Sequence, residues 1–257
     1  MKTHAYSLCL LTAVLTAGAQ SHAQQTDKAI GLAPQATTTA GGQRWALVIG
    51  INEYTNVPAL EFARNDAEAL AKMLVERCGF PKDQVVLMTD SREVRLNDPG
   101  RYPTRSNARN RINRIAEIAG KDDVLLIMFS GHGMNLDGKG YLVPVDGTSK
   151  DISSLIPLAW VKTTLETSAA TQRLLILDAC HAGAKAGDSA AATLNATVAA
   201  AAFQTLASCE SQELSHENPQ TGHGVFATAL LEGLAGAADA KPIGNGDGVI
   251  TSDELFD

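Results

Sequence analysis

Two short stretches carry side chains able to make and break an acyl bond. Ser130-Gly131-His132-Gly133 follows the apolar run Val124 to Phe129, and Asp178-Ala179-Cys180-His181-Ala182-Gly183 follows the apolar run Leu174 to Leu177. A thiol becomes a nucleophile when an imidazole takes its proton, and the imidazolium can then protonate a leaving amine. His132 and Cys180 are the candidate pair. The tetrahedral oxyanion of such a reaction needs donors, and the backbone N–H groups of Gly133 and Cys180 are the candidates. Taken alone, Cys180 reads as a core thiol, since free cysteine is among the most buried residue types. His181 is a rival base, but neighbouring side chains on extended backbone point to opposite faces. The glycines beside His132 read as tight turns that leave its ring open. His216 and His223 read as loop or surface residues.

Chemistry at two run ends needs elements that bring those ends together. Trp45 to Ile51, Val85 to Met88, Val124 to Phe129 and Leu174 to Leu177 are apolar on both faces, with a weaker run at Phe203 to Cys209. Such runs suit central parallel strands covered on both sides. Between them, Asn65 to Cys78 places Ala67, Leu70, Met73 and Leu74 at helical spacing, and Thr104 caps a helix through Ala119. Alternating strands and helices predict an α/β sandwich with a mostly parallel sheet, whose sites form at the carboxyl ends of the strands. If the strands before His132 and Cys180 are neighbours, both residues emerge at one sheet edge. Ala184 to Ala202 reads as a loop, because Gly187, Asp188, Asn195 and Thr197 interrupt any apolar stripe.

Residues 1–23 read as a signal peptide: Lys2 gives a basic start, Leu8 to Ala17 a short apolar stretch, and Ser21-His22-Ala23 a small-x-small cleavage site. An exported, periplasmic or secreted protein is expected, with no membrane attachment after cleavage. Residues 24–42 read as a flexible linker, and 43–257 as one domain ending in the first turn of a helix. The formal net charge of -7 argues against a polyanion partner, so no nucleic acid is expected; Arg101 to Arg114 reads as a solvated helix face. Beyond the leader, Cys78, Cys180 and Cys209 make an odd count, which leaves at least one thiol unpaired and allows a Cys78–Cys209 bridge.

The paired signatures, with His132 and Cys180 separated by 48 positions, resemble the caspase-like cysteine peptidases, and most of all metacaspases and their bacterial relatives. Trp45 to Ile51 resembles the family's first strand, Arg64-Asn65-Asp66-Ala67 its following helix, and Gly224-Val225-Phe226 a late element. The resemblance implies a three-layer αβα sandwich and a cysteine-type endopeptidase acting through a Cys-His dyad. Animal caspases carry Gln two residues before the nucleophile and bind an aspartate side chain through arginines; here that position is Asp178. A carboxylate there repels an acidic P1 group and attracts Arg or Lys. By resemblance to metacaspases, Asp66, Ser130 and Asp178 line a pocket for a basic P1 residue, so the partner is a polypeptide cut after Arg or Lys. Lys185 is a candidate self-cleavage point.

Other readings remain open at this level. Asp66 also suits a helix N-terminus, where the dipole favours a carboxylate. Cys180, His181 and His132 lack the spacing of a zinc site. Asn245-Gly246-Asp247-Gly248, with Glu254 following, resembles the second half of a calcium loop, but its first ligand position falls on Ile243, which has no ligating side chain. Calcium enters as an activator because some metacaspases need it. Rival functions are a catalytically silent binding module of the same fold and a Cys-His amidase acting on another amide.

Overall fold

The computed structural model describes residues 41–181, 203–208, 217–218, 220–248 and 250–256. The leader at 1–23, the linker through residue 40, the loop at 184–202 with Lys185, and Cys209 and His216 lie outside the described residues. The elements are β1 (Arg44–Gly50), α1 (Ala63–Glu76), β2 (Val85–Thr89), α2 (Arg92–Asn97), α3 (Arg105–Ile118), β3 (Val124–Leu136), β4 (Lys139–Leu142), β5 (Ile156–Pro157), α4 (Leu158–Thr167), β6 (Gln172–His181), β7 (Gln204–Ala207), β8 (Glu217–Asn218), β9 (His223–Gly224), α5 (Val225–Glu232) and α6 (Ser252–Phe256).

Each double-sided apolar run became a strand of one sheet. β2, β1, β3, β6 and β7 lie side by side in that order, all parallel. Alternate residues feed opposite cores. Ala46, Val48, Leu126, Met128, Leu174 and Ile176 pack against Ala67, Leu70 and Leu74 of α1 and Leu230 of α5. Leu47, Ile49, Leu125, Ile127, Leu175 and Leu177 pack against Ile112 and Ile115 of α3 and Val161 and Leu165 of α4. The result is the three-layer αβα sandwich with a mostly parallel sheet. From β1 the chain goes to β2 on one side and then returns past it to β3 on the other. A switch of direction of this kind opens a crevice at the carboxyl ends of the two strands.

The structure corrects one local expectation. Strand β3 does not end at Phe129, and Gly131 to Gly133 do not form a turn: β3 runs on through Leu136. β4 pairs antiparallel with Gly133 to Leu136, and β5 pairs with β4, so this extra edge satisfies the backbone beyond β1 and prolongs the strand. β6 lengthens with it and includes Asp178 to His181.

The end of β1 fixes the start of α1. A Cβ on Gly50 would stand 2.5 Å from both the Ala63 carbonyl oxygen and the Ala67 Cβ. The helix therefore sits against a bare backbone. Gly50→Ala is expected to destabilise the protein by about 1–3 kcal/mol through overpacking. A lower denaturant midpoint with unchanged slope checks this; an unchanged midpoint refutes the close packing.

Candidate active site

β3 and β6 run in parallel register over ten pairs, from Val124 with Gln172 to Gly133 with His181. Within that ladder Ser130 stands opposite Asp178 and His132 opposite Cys180. Adjacent strands are roughly 4.8 Å apart, and two residues along a strand span roughly 6.6 Å. The four positions thus form two successive rows at the carboxyl end of the sheet. Gly133 follows in the next row, between His181 of β6 and Leu142 of β4.

The His132 side chain is not open to solvent as the sequence implied; the residue is 5% exposed. β1 last pairs with β3 at Gly50 and Ser130, and Ile51 N–H donates to the Ser130 carbonyl at 3.1 Å. Beyond that point β1 has departed, and a side chain takes its place. The His132 N–H donates to Tyr54 Oη at 2.8 Å, and the Val143 N–H donates to the His132 carbonyl at 2.9 Å. Gly131 makes this possible, because a Cβ there would meet Tyr54 Oη at 2.5 Å. The Tyr54 ring also packs on the imidazole, with centroids 4.8 Å apart. His132 Nε2 lies 2.9 Å from the Pro58 carbonyl oxygen. A carbonyl only accepts, so Nε2 carries the hydrogen, and Nδ1 is the basic atom of the neutral ring.

Tyr54 and Pro58 belong to the segment between β1 and α1, which is tied down at both ends. Asn52, 6% exposed, accepts from Arg64 N–H through Oδ1 and donates to the Glu61 carbonyl through Nδ2, both at 2.7 Å. Asp90, at the end of β2, accepts from Glu53 N–H at 2.7 Å and lies 3.7 Å from the Arg64 guanidinium. Sequence reasoning missed all of these. Tyr54, Asn52 and Asp90 are polar groups just past strand ends, a signal available in the sequence; the Pro58 carbonyl is backbone and has none.

The carboxylates expected to line a pocket do converge. Asp66, Ser130 and Asp178 are 2%, 2% and 4% exposed. The first turn of α1 carries Asp66, and a point one Cβ bond from Gly224 lies 3.2 Å from Asp66 Oδ2 and 3.4 Å from Asp178 Oδ2. Gly224 opens α5, which brings the late Gly-Val-Phe segment to the site. His223, expected in a loop or on the surface, instead lies in β9 with Nδ1 2.7 Å from Asp66 Oδ1. That contact spans 157 residues of sequence, so no local pattern announces it.

Elsewhere, Cys78 is a free buried thiol, so the bridge to Cys209 that the cysteine count allowed is not formed. Burial pushes its thiol up to about 12, with the nearby Arg44 guanidinium pulling the other way. In the segment 245–248, Asp239 accepts from Asp247 and Gly248 N–H groups at 3.0 Å, and Glu254 accepts from Asn245 and Thr251 N–H groups at 3.2 and 2.8 Å. Asp239, four residues before Ile243, opens this turn. Among the described residues, no group of three His, Cys, Asp or Glu is arranged to hold a metal ion, and no helix is long and apolar enough to cross a membrane.

Residues 43–245 match the family model of the caspase domain. Metacaspase-1 of Eremothecium gossypii is 29% identical over 156 residues, covering 55% of this chain and 32% of that protein. Metacaspase-1 of Cryptococcus neoformans is 32% identical over 152 residues, with 55% and 32% covered. The chain therefore spans about a third of the length of these curated relatives. The crystal structure of the Drosophila initiator caspase Dronc superposes with a TM-score of 0.52 at 12% identity, over 90% of this chain and 81% of that one. A Geobacter sulfurreducens protein of solved structure gives 0.53 at 17% identity, over 74% and 81%.

Because a thiolate is the reactive form, Cys78 is expected to resist iodoacetamide in the native protein at pH 8 and to react once denatured. Peptide mapping by mass spectrometry checks this, and rapid native labelling at Cys78 contradicts its burial.

Proposed function

This chain belongs to the caspase-domain family, and from that premise we propose that it is a cysteine endopeptidase cutting after arginine or lysine, with Cys180 as nucleophile and His132 as base. The observation that carries the reading is the ladder of β3 on β6, which sets His132 opposite Cys180. The Pro58 carbonyl on Nε2 leaves Nδ1 as the atom that takes the thiol proton. The thiolate attacks the scissile carbonyl carbon, and the oxyanion is held by the N–H groups of Gly133 and Cys180. Collapse breaks the C–N bond, the imidazolium protonates the leaving amine, and a thioester remains. Water, deprotonated by the same imidazole, then attacks the thioester; the acid departs and the thiol is restored.

The basic P1 preference rests on Asp66 and Asp178, two buried carboxylates converging beside Gly224, with Ser130 in register with Asp178. Two anions withdrawn from water favour a cation between them. A P1 aspartate would add a third negative charge.

Initial rates on fluorogenic peptides with Arg, Lys or Asp at P1 test the reading. Cleavage after Arg and Lys but not Asp is expected, with none by Cys180→Ala and a loss of about 100- to 10,000-fold in His132→Ala. Asp178→Asn should lower kcat/KM for Arg substrates by roughly 10- to 150-fold, the worth of one charge-assisted hydrogen bond. Turnover unaffected by Cys180→Ala, or absent from every peptide, overturns the mechanism; the second result favours a silent binding module.

We also propose export, on the basic, apolar and small-x-small order of residues 1–23. The mature protein should begin at Gln24, read by N-terminal sequencing after expression in a bacterial host with its leader; a retained Met1 in the periplasm-free fraction overturns it.

A further inference from the structure

Asp66 already has a cationisable partner. Its Oδ1 lies 2.7 Å from His223 Nδ1, and because a carboxylate oxygen only accepts, Nδ1 carries the hydrogen. The Gly224 N–H adds contacts of 3.3 Å to both Asp66 oxygens. The Asp66 side chain is 2% exposed and that of His223 28%, so one member of the pair is sealed and the other reaches water. Beyond Gly224 stands the second carboxylate, Asp178 of β6, whose Oδ2 shares with Asp66 Oδ2 the space a Cβ on Gly224 would enter.

Among the described residues, four elements set the charged surroundings of His223. α1 presents Asp66 in contact, while the Arg64 guanidinium lies 3.7 Å from Asp90. β6 presents Asp178 beyond Gly224. β8 carries Glu217, whose backbone pairs with Gly224, and Asn218, which pairs with His223 itself. α5 follows directly with Val225-Phe226-Ala227-Thr228, which bears no charge. The described surroundings of His223 are thus acidic on two sides, and its protonation adds one positive charge beside them.

We propose that His223 is a specificity-determining residue: its imidazolium is the resident counter-cation of the acidic pocket, and a P1 arginine or lysine competes with that charge for Asp66. This rests on the basic-P1 reading above. Histidine is the side chain that ordinarily changes charge between about pH 5 and 8. With His223 protonated, Asp66, Asp178 and the imidazolium sum to one negative charge; with it neutral, they sum to two. A cationic P1 group therefore binds better to the neutral form, and by linkage its binding drives a proton off His223. Cleavage after basic residues is in this way restrained in acid and released toward neutrality, through KM rather than through the Cys180–His132 chemistry.

The test compares the wild type, His223→Asn and His223→Ala on peptides with arginine or its uncharged isostere citrulline at P1, from pH 5.5 to 8. Asn can offer an amide N–H where Nδ1–H stands but cannot become charged. For the wild type, KM for the arginine peptide should fall about 5- to 20-fold as pH rises, the size of a typical coupling between sites. In His223→Asn it should be low and flat, with the kcat profile unmoved; citrulline should show no such dependence in any form. A flat wild-type KM for arginine, or a His223→Asn profile that follows the wild type, overturns the proposal even where arginine is preferred. Equal kcat/KM for arginine and citrulline instead overturns the basic-P1 reading. Calorimetry of the arginine peptide binding to Cys180→Ala, in buffers of different ionisation heat near pH 6, supplies a readout without turnover. Release of a fraction of a proton is expected with arginine and none with citrulline, and equal release with both counts against His223.

Discussion

The site depends on one constraint, the parallel register between β3 and β6. His132 faces Cys180 and Ser130 faces Asp178 only in this alignment. A slip by one residue would turn every side chain of a strand to the other face. A slip of β3 would move Leu126 and Met128 from the α1 core into the α3 core, and a slip of β6 would do the same to Leu174 and Ile176. Hydrophobic burial on both faces of the sheet therefore enforces the alignment of the proposed catalytic rows. The same residues that stabilise the sandwich set His132 opposite Cys180.

Extending strands into a site exposes a second problem, because the backbone of β3 outruns β1. The molecule solves it with side chains and a short antiparallel annex. Tyr54 Oη takes the His132 N–H, Val143 donates to the His132 carbonyl, and β4 continues from Gly133. The same segment that supplies Tyr54 also supplies the Pro58 carbonyl, so backbone and ring of His132 are held by one piece of chain. Asn52 and Asp90 anchor that piece to α1 and to the end of β2. An imidazole fixed at both its backbone and its far nitrogen, as a proposed base, loses little orientational freedom on binding a substrate.

Much of this was legible in the sequence because it follows from periodicity. Val124 to Phe129 and Leu174 to Leu177 are apolar on both faces, and only central strands need that. Thr104, read as a cap, does accept from Asn107 N–H at 3.3 Å. Asp66 and Asp178 could be paired only through the family resemblance, and they do converge. What escaped was determined by distant chain. Gly131 looked like a turn residue, yet it lies in an extended strand and makes room for a tyrosine 77 positions earlier. His223 looked peripheral because the helix that meets it is 157 residues away. The cysteine count allowed Cys78 a bridge to Cys209 but said nothing of the buried environment in which it is a free thiol.

The proposed chemistry rests wholly on the ladder, whereas the proposed selectivity draws on the ladder through Ser130 and Asp178 and on a second part of the fold. The proposed nucleophile and base sit on adjacent central strands, whose positions cannot change independently without breaking the ladder and both cores. Asp66 and Asp178 meet Gly224, and Asp66 meets His223, from a two-residue strand paired only with another two-residue strand among the described residues. Asp66 is common to both parts: α1, packed on Gly50, presents its carboxylate to the hairpin. On the proposed reading, a substitution at His223 alters the charge that a P1 side chain meets from outside the ladder that sets His132 opposite Cys180.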